Sequence, residues 1–165
     1  MSTNPPPATN PPTPNLYNAR QAIDLTMLTI LIGREAGNQT DEAMLAVAWS
    51  VKNRVLRPGF WNWGTDWETV IEAKWQYSSI EGPQSDPNLL KYPNLRVEPW
   101  ERCLAIAELV YNGEVNDPTQ GATHYYDASL ELEPPNWARS GKLEKTVDIG
   151  AFHFFRVIAP GVIQA

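Results

Sequence analysis

The stretch that most constrains the fold is the apolar run Ala22-Ile23-Asp24-Leu25-Thr26-Met27-Leu28-Thr29-Ile30-Leu31-Ile32, which stops abruptly at Gly33-Arg34-Glu35. Ile23, Met27, Ile30 and Leu31 recur at helical spacing, and Leu28 and Ile32 widen the stripe. A helix that is apolar on most sides has to be buried, so the segment from Tyr17 to Glu35 is predicted to be a central helix. The polar turn Ala36-Gly37-Asn38-Gln39-Thr40 follows it. A second helix is predicted from Asp41 to Val55, with Met44, Val47, Ala48, Val51 and Val55 facing inward. Thr40 or Asp41 can cap it, and Pro58-Gly59 ends it.

Glu35 therefore falls at the tail of a buried helix, and two readings of it stand. It is either an ordinary helix-end glutamate in water or a carboxyl group held partly away from it. Burial disfavours the charged form of a carboxyl. An acid that keeps its proton near neutral pH is what general acid catalysis needs. Negative charge at a helix C-terminus also opposes the macrodipole, so the position is a mildly costly one for an acid.

The rest of the chain reads as one α+β domain. Residues 1–16 form a Pro-rich arm in which Pro5-Pro6-Pro7 and Pro11-Pro12 favour polyproline II and predict disorder; residues 17–165 form the domain. Thr65-Asp66-Trp67-Glu68 has the spacing of a capping box and opens a short helix carrying Trp67, Val70, Ile71 and Trp75. Gln76 to Gly82 reads as a hairpin or irregular β segment, and Asp86 to Pro93 as a loop. A further helix is expected from Pro99 to Tyr111, stopped by Gly113. Residues 122–128, 146–150 and 153–158 are strand-like, and Pro134-Pro135-Asn136-Trp137 is a loop. Helices dominate and the β component is small and late, which is an α+β arrangement.

Composition removes several functions. A net charge of −6 argues against nucleic acid as a partner. No apolar run is long enough to span a bilayer, so membrane insertion is not expected. The single cysteine, Cys103, shares a helical stripe with Ile106, Ala107 and Val110, as a small core residue would. It is accordingly a poor nucleophile for an amidase or endopeptidase. With two histidines, His124 and His153, no metal cluster of recognisable spacing exists, and no metal or cofactor is expected. Met1–Asn15 lacks the pattern of a signal peptide. The chain as given is therefore expected to be made in the cytoplasm and to act elsewhere after release or export.

Five blocks in order resemble the SleB-type cell wall hydrolases, a family named for a spore cortex-lytic enzyme. They are Glu35-Ala36 with Glu42, Ala46-Val47-Ala48 and Asn53-Arg54-Val55; Trp75-Gln76-Tyr77-Ser78; Gly121-Ala122-Thr123-His124-Tyr125-Tyr126; Pro135-Asn136-Trp137-Ala138; and Ile149-Gly150 followed by Phe154-Phe155-Arg156. The resemblance covers about residues 20–157. It implies a lysozyme-like fold related to lytic transglycosylases, cleavage of the β-1,4 bond between N-acetylmuramic acid and N-acetylglucosamine in peptidoglycan, and Glu35 as the catalytic acid. Peptidoglycan glycan strands are then the partner, with an export or holin system to bring the protein to the wall. Arg34 stands where the family usually has Gly, Gln39 where it usually has a second Glu, and Phe152 where it has a histidine.

Around Glu35, the hydroxyls of Tyr77 and Ser78 and the amide of Gln76 are candidate sugar ligands. His124 and Tyr126 share one face of a strand and are candidates to line the same site, or are packed strand residues. Trp61, Trp63 and Trp137 sit in loops, where an indole either stacks on sugar or packs on the domain edge. Glu42 is the candidate second carboxylate. Two alternatives to a single-acid transglycosylase remain at this point: a muramidase-type hydrolase, and a non-catalytic peptidoglycan-binding relative.

Overall fold

The computed structural model describes residues 16–58, 63–73, 76–81 and 96–158, without the side chains of Ser78 and Glu81. The arm over 1–15, Trp61, Trp75 and the loop expected at Asp86–Pro93 lie outside those residues. In chain order the elements are α1 (Ala19–Ala36), α2 (Asp41–Val55), α3 (Trp67–Ile71), α4 (Ser78–Glu81), α5 (Trp100–Asn112), β1 (His124–Asp127), β2 (Leu143–Ile149) and β3 (Phe152–Val157). Two 3-10 turns, Ala128–Leu130 and Asn136–Arg139, sit between β1 and β2. The domain is α+β, with the helices first and the small sheet last.

α1 begins where Asn18 and Gln21 cap each other reciprocally, each backbone N–H bonding the other's side-chain oxygen at 3.0 Å. Its buried face is Leu25, Leu28, Leu31, Ile32 and Ala36. The expected stripe is thus rotated: Ile23 is 49 % exposed and Met27 and Ile30 lie at the margin. The run is apolar nearly all round, so periodicity alone does not choose which side faces inward; packing against α2 and α5 does. α2 spans the predicted residues, with Met44, Val47, Ala48 and Val51 fully buried. Met44, Val47 and Val51 each contribute roughly 1.5–3 kcal/mol by leaving water.

α1 and α5 approach closely because Gly33 has no side chain. A Cβ there would stand 2.1 Å from the Trp100 ring. α5 ends at Gly113, whose left-handed φ of 75° lets its N–H return to the last turn of the helix.

Two local expectations are corrected. Of the segment Gln76 to Gly82, the described residues 76–81 form no hairpin: Gln76 N–H bonds Ala73 O at 3.1 Å, Ile80 N–H bonds Tyr77 O at 3.0 Å, and residues 78–81 make the single turn α4. The segment satisfies its backbone locally and pairs with no described strand. α3 is capped by Asp66 and Thr69 rather than by Thr65 and Glu68; Asp66 accepts from Thr69 N–H at 3.0 Å.

The sheet is antiparallel in the order β1-β3-β2. Tyr125 lies opposite Phe154 and Asp127 opposite Phe152, while His124 lies opposite Phe155 and Tyr126 opposite His153. Strand alternation therefore divides the sheet into two faces. Phe152, Phe154 and Ile149 join the helical core. On the other face, His124, Tyr126 and Phe155 form an aromatic layer with Trp137 from the second 3-10 turn, at ring separations of 5.1–5.9 Å. Among the described residues, no helix is long and apolar enough to cross a membrane.

Candidate active site

Three elements converge on Glu35. The last turn of α1 carries it, half-buried. From α4, Ser79 Oγ donates a short hydrogen bond to Glu35 Oε1. From β1, Tyr125 Oη donates to Glu35 Oε2 at 2.8 Å. Each carboxylate oxygen is thus held by one hydroxyl, from segments 44 and 90 residues away. Burial, together with Glu35 and Tyr77, pushes the Tyr125 hydroxyl well above its ordinary pKa. It therefore keeps its proton and acts as a lasting donor.

The supports of this arrangement come from the same elements. Arg34 Nη1 donates to the Ser79 carbonyl at 3.1 Å, so consecutive residues of α1 hold α4 and meet its hydroxyl. Arg34 thus ties the α4 backbone to α1 beside the Ser79–Glu35 bond. The C-terminal half of α2 fixes the chain leading into β1. Asn53 Nδ2 donates to Asp117 Oδ2 and to Ala122 O, both at 2.9 Å. Asp117 also accepts from the Gly121 backbone N–H at 2.8 Å. Arg54 Nε donates to Thr123 O at 2.6 Å.

Arg54 is itself a buried cation, 3 % exposed. Its guanidinium lies over the rings of Tyr77 and Trp63, 5.0 and 5.6 Å from their centroids, and Nη1 donates to Gln76 Oε1 at 2.7 Å. No ion pair joins it to an acid among the described residues. Tyr77 is buried, and its pKa is raised by burial first, with Arg54 lowering it and Glu35 raising it.

The sequence candidates thus fall into two groups. Gln76 and Tyr77 both meet Arg54, and Tyr77 lies near enough to Glu35 to feel its charge. Ser78 opens α4, with its side chain outside the described residues; the serine on Glu35 is Ser79. His124, Tyr126 and Trp137 come together, but on the sheet face opposite Tyr125. His124 is 8 % exposed, Nδ1 shares a 2.9 Å hydrogen bond with Thr123 Oγ1, and burial, then Arg54, lowers its pKa to about 3. It is a neutral imidazole. Trp63 is 1 % exposed and its indole N–H bonds Arg57 O at 2.9 Å, so it is a core residue. Tyr125, which sequence reasoning passed over, lies opposite Phe154 on the core side of β1; with His124, Tyr125 and Tyr126 all aromatic, no sequence signal singled it out.

The other acids do not gather here. Glu42 is exposed in the first turn of α2. Asp24 is buried on α1, but eleven residues earlier, about 16 Å along the axis, where it binds Arg20 and Tyr111. Cys103 is fully buried and its thiol pKa is pushed up by burial. No cluster of three His, Cys, Asp or Glu suited to a metal ion occurs among the described residues.

A family model described as Cell Wall Hydrolase matches residues 38–155, beginning three residues past Glu35. Two solved structures share the fold. The catalytic domain of the germination-specific lytic transglycosylase SleB from Bacillus anthracis aligns over 87 % of this chain and 100 % of its own, with a TM-score of 0.62 and 21 % identity. The catalytic domain of the Bacillus cereus SleB protein aligns over 87 % and 94 %, with a TM-score of 0.61 and 20 % identity. No curated protein sequence matches the chain.

Proposed function

The chain belongs to the cell wall hydrolase family, and from that membership and the geometry around Glu35 we propose that it cleaves the MurNAc-β-1,4-GlcNAc bond of peptidoglycan as a lytic transglycosylase with Glu35 as its acid and base. The observation that carries the reading is that both oxygens of one half-buried carboxyl are oriented by hydroxyls, one from α4 and one from β1. Its support also comes from the fold shared with a lytic transglycosylase.

A hydrolase of the usual kind needs two carboxyl groups flanking the bond. A transglycosylase needs one. Protonated Glu35 gives its proton to the glycosidic oxygen as the C1–O bond breaks. The muramyl 6-hydroxyl then attacks C1, and the glutamate takes the hydroxyl proton, so the acid is regenerated and no water is consumed. The product ends in a 1,6-anhydro sugar. Ser79 and Tyr125 keep the carboxyl in one plane throughout. A hydroxyl both donates and accepts, so each tolerates the proton arriving at and leaving its oxygen.

The test is a digest of purified peptidoglycan by wild type and Glu35→Gln, with products read by mass spectrometry. Anhydro-muropeptides from wild type alone are expected. Products one water heavier would replace the transglycosylase reading with a hydrolase, and cleavage by the Glu35→Gln variant would remove Glu35 from the mechanism.

A further inference from the structure

Arg54 holds the chain leading into β1 through Nε, but its Nη1 bond to Gln76 has no part in placing Glu35. Arg54 is almost wholly buried, and a guanidinium has five donors and no acceptor. The Gln76 atom 2.7 Å from Nη1 must therefore be its carbonyl oxygen. That settles which way the amide lies, and its NH2 group points away from Arg54. Gln76 is half-exposed. No described residue accepts from its Nε2, and that atom is not among the polar atoms sealed in the interior without a partner. The result is a pair of N–H donors fixed in direction at the surface. It is one residue from Tyr77, which feels the charge of Glu35, and three from Ser79, which touches Glu35.

Holding a buried arginine in this position is costly unless its surroundings compensate. Trp63, Tyr77, Thr123 and Gln76 supply that compensation. Besides holding Thr123 through Nε, the buried cation fixes the direction of the Gln76 amide through Nη1. A fixed donor selects a ligand acceptor. On a peptidoglycan strand the acetamido carbonyl is the acceptor absent from plain glucosamine that both sugars carry, the lactyl carbonyl being confined to the muramyl residue.

We propose that Gln76 donates a hydrogen bond to an acetamido carbonyl of the glycan, with Arg54 as the positioning residue that turns its amide outward, so that the site selects N-acetylated over de-N-acetylated sugar. The inference rests on the Glu35 site being a glycan site, and its test separates the two. Binding is measured in the Glu35→Gln background by co-sedimentation with insoluble peptidoglycan, either N-acetylated or chemically de-N-acetylated. The parent protein is expected to prefer the N-acetylated form by about tenfold, the value of one well-made hydrogen bond. Gln76→Glu keeps an oxygen for Arg54 but replaces the outward donor with an acceptor. It is expected to fold as stably as its parent and to lose that preference. Arg54→Lys keeps the charge without the planar fork and should reduce the preference with Gln76 in place. The side-chain amide resonances of Gln76 in a nitrogen-15 spectrum provide a second measurement; they should shift on adding a soluble N-acetylated tetrasaccharide. An unchanged preference in the Gln76→Glu variant, or unmoved Gln76 resonances in a protein that binds the sugar, would overturn the proposal. Failure of the parent to bind either form would instead overturn the glycan-site reading on which it rests.

Discussion

Glu35 is positioned by two hydroxyls of unequal standing. Ser79 is held through its own carbonyl by Arg34, its near neighbour across the α1–α4 contact. Tyr125 comes from the sheet, and its ring is fixed by Phe152 and Phe154 at 5.3 and 5.6 Å. Tyr125→Phe keeps those ring contacts and removes only the bond to Glu35. The carboxyl then loses its tether to β1 and can rotate about the remaining bond to Ser79. Small misplacements of a reacting group cost up to about a hundredfold in rate. Tyr125→Phe should therefore lower kcat by roughly tenfold or more, with KM and the melting temperature nearly unchanged. Steady-state kinetics on a soluble muropeptide checks this. A raised KM at constant kcat would make Tyr125 a binding residue instead.

At the scale of elements, the site depends on how close α1 and α5 come. Gly33→Ala gains helix propensity of about 1 kcal/mol, but its Cβ would meet three carbons of the Trp100 ring at 2.1–2.7 Å. Overpacking of that kind costs typically about 1–3 kcal/mol, and here the obstacle is a rigid ring. The net effect should be a loss of stability, visible as a melting temperature lower by a few degrees. Because Glu35 lies two residues further along α1, activity should fall even below the melting transition. A melting temperature at or above wild type would show that the ring moves aside freely. The long helices were legible because each combines a sustained apolar period with a stop: α2 and α5 begin and end within a residue of their predicted limits. α4 was not, because four residues carry no period. The face of β1 that meets Glu35 was also hidden. His124, Tyr125 and Tyr126 are all aromatic, so alternation shows that two share a face without showing which face is inside. Gln76 and Tyr77 were legible as a motif, yet their partner Arg54 was legible only as part of another, 22 residues earlier.

For the whole molecule, the sheet's second face links stability to pH. His124 lies between Trp63 and Trp137, at 6.1 and 5.1 Å, and its pKa is lowered from 6.5 to about 3 by burial and then by Arg54. The folded state therefore refuses a proton that the unfolded chain accepts. Stability from this source is complete above about pH 6.5 and is lost as the pH falls toward 3. One pKa unit corresponds to about 1.36 kcal/mol, so the full effect is of order several kcal/mol, a large part of the roughly 5–15 kcal/mol typical of a domain. His124 neighbours Tyr125 on the same strand, and the carbonyl of the preceding residue, Thr123, is held by Arg54. Protonating His124 should thus loosen β1 and release Tyr125 from Glu35 together. Urea unfolding of wild type between about pH 7 and pH 4 is expected to show stability falling steadily with pH. His124→Gln, which carries no titrating group there, should be less stable at neutral pH but show a distinctly shallower fall. The carboxylates and His153 are common to both proteins, so the difference in slope isolates His124. Equal slopes would mean that the imidazole takes up its proton without leaving the aromatic layer, and that acid acts on this fold through groups other than His124.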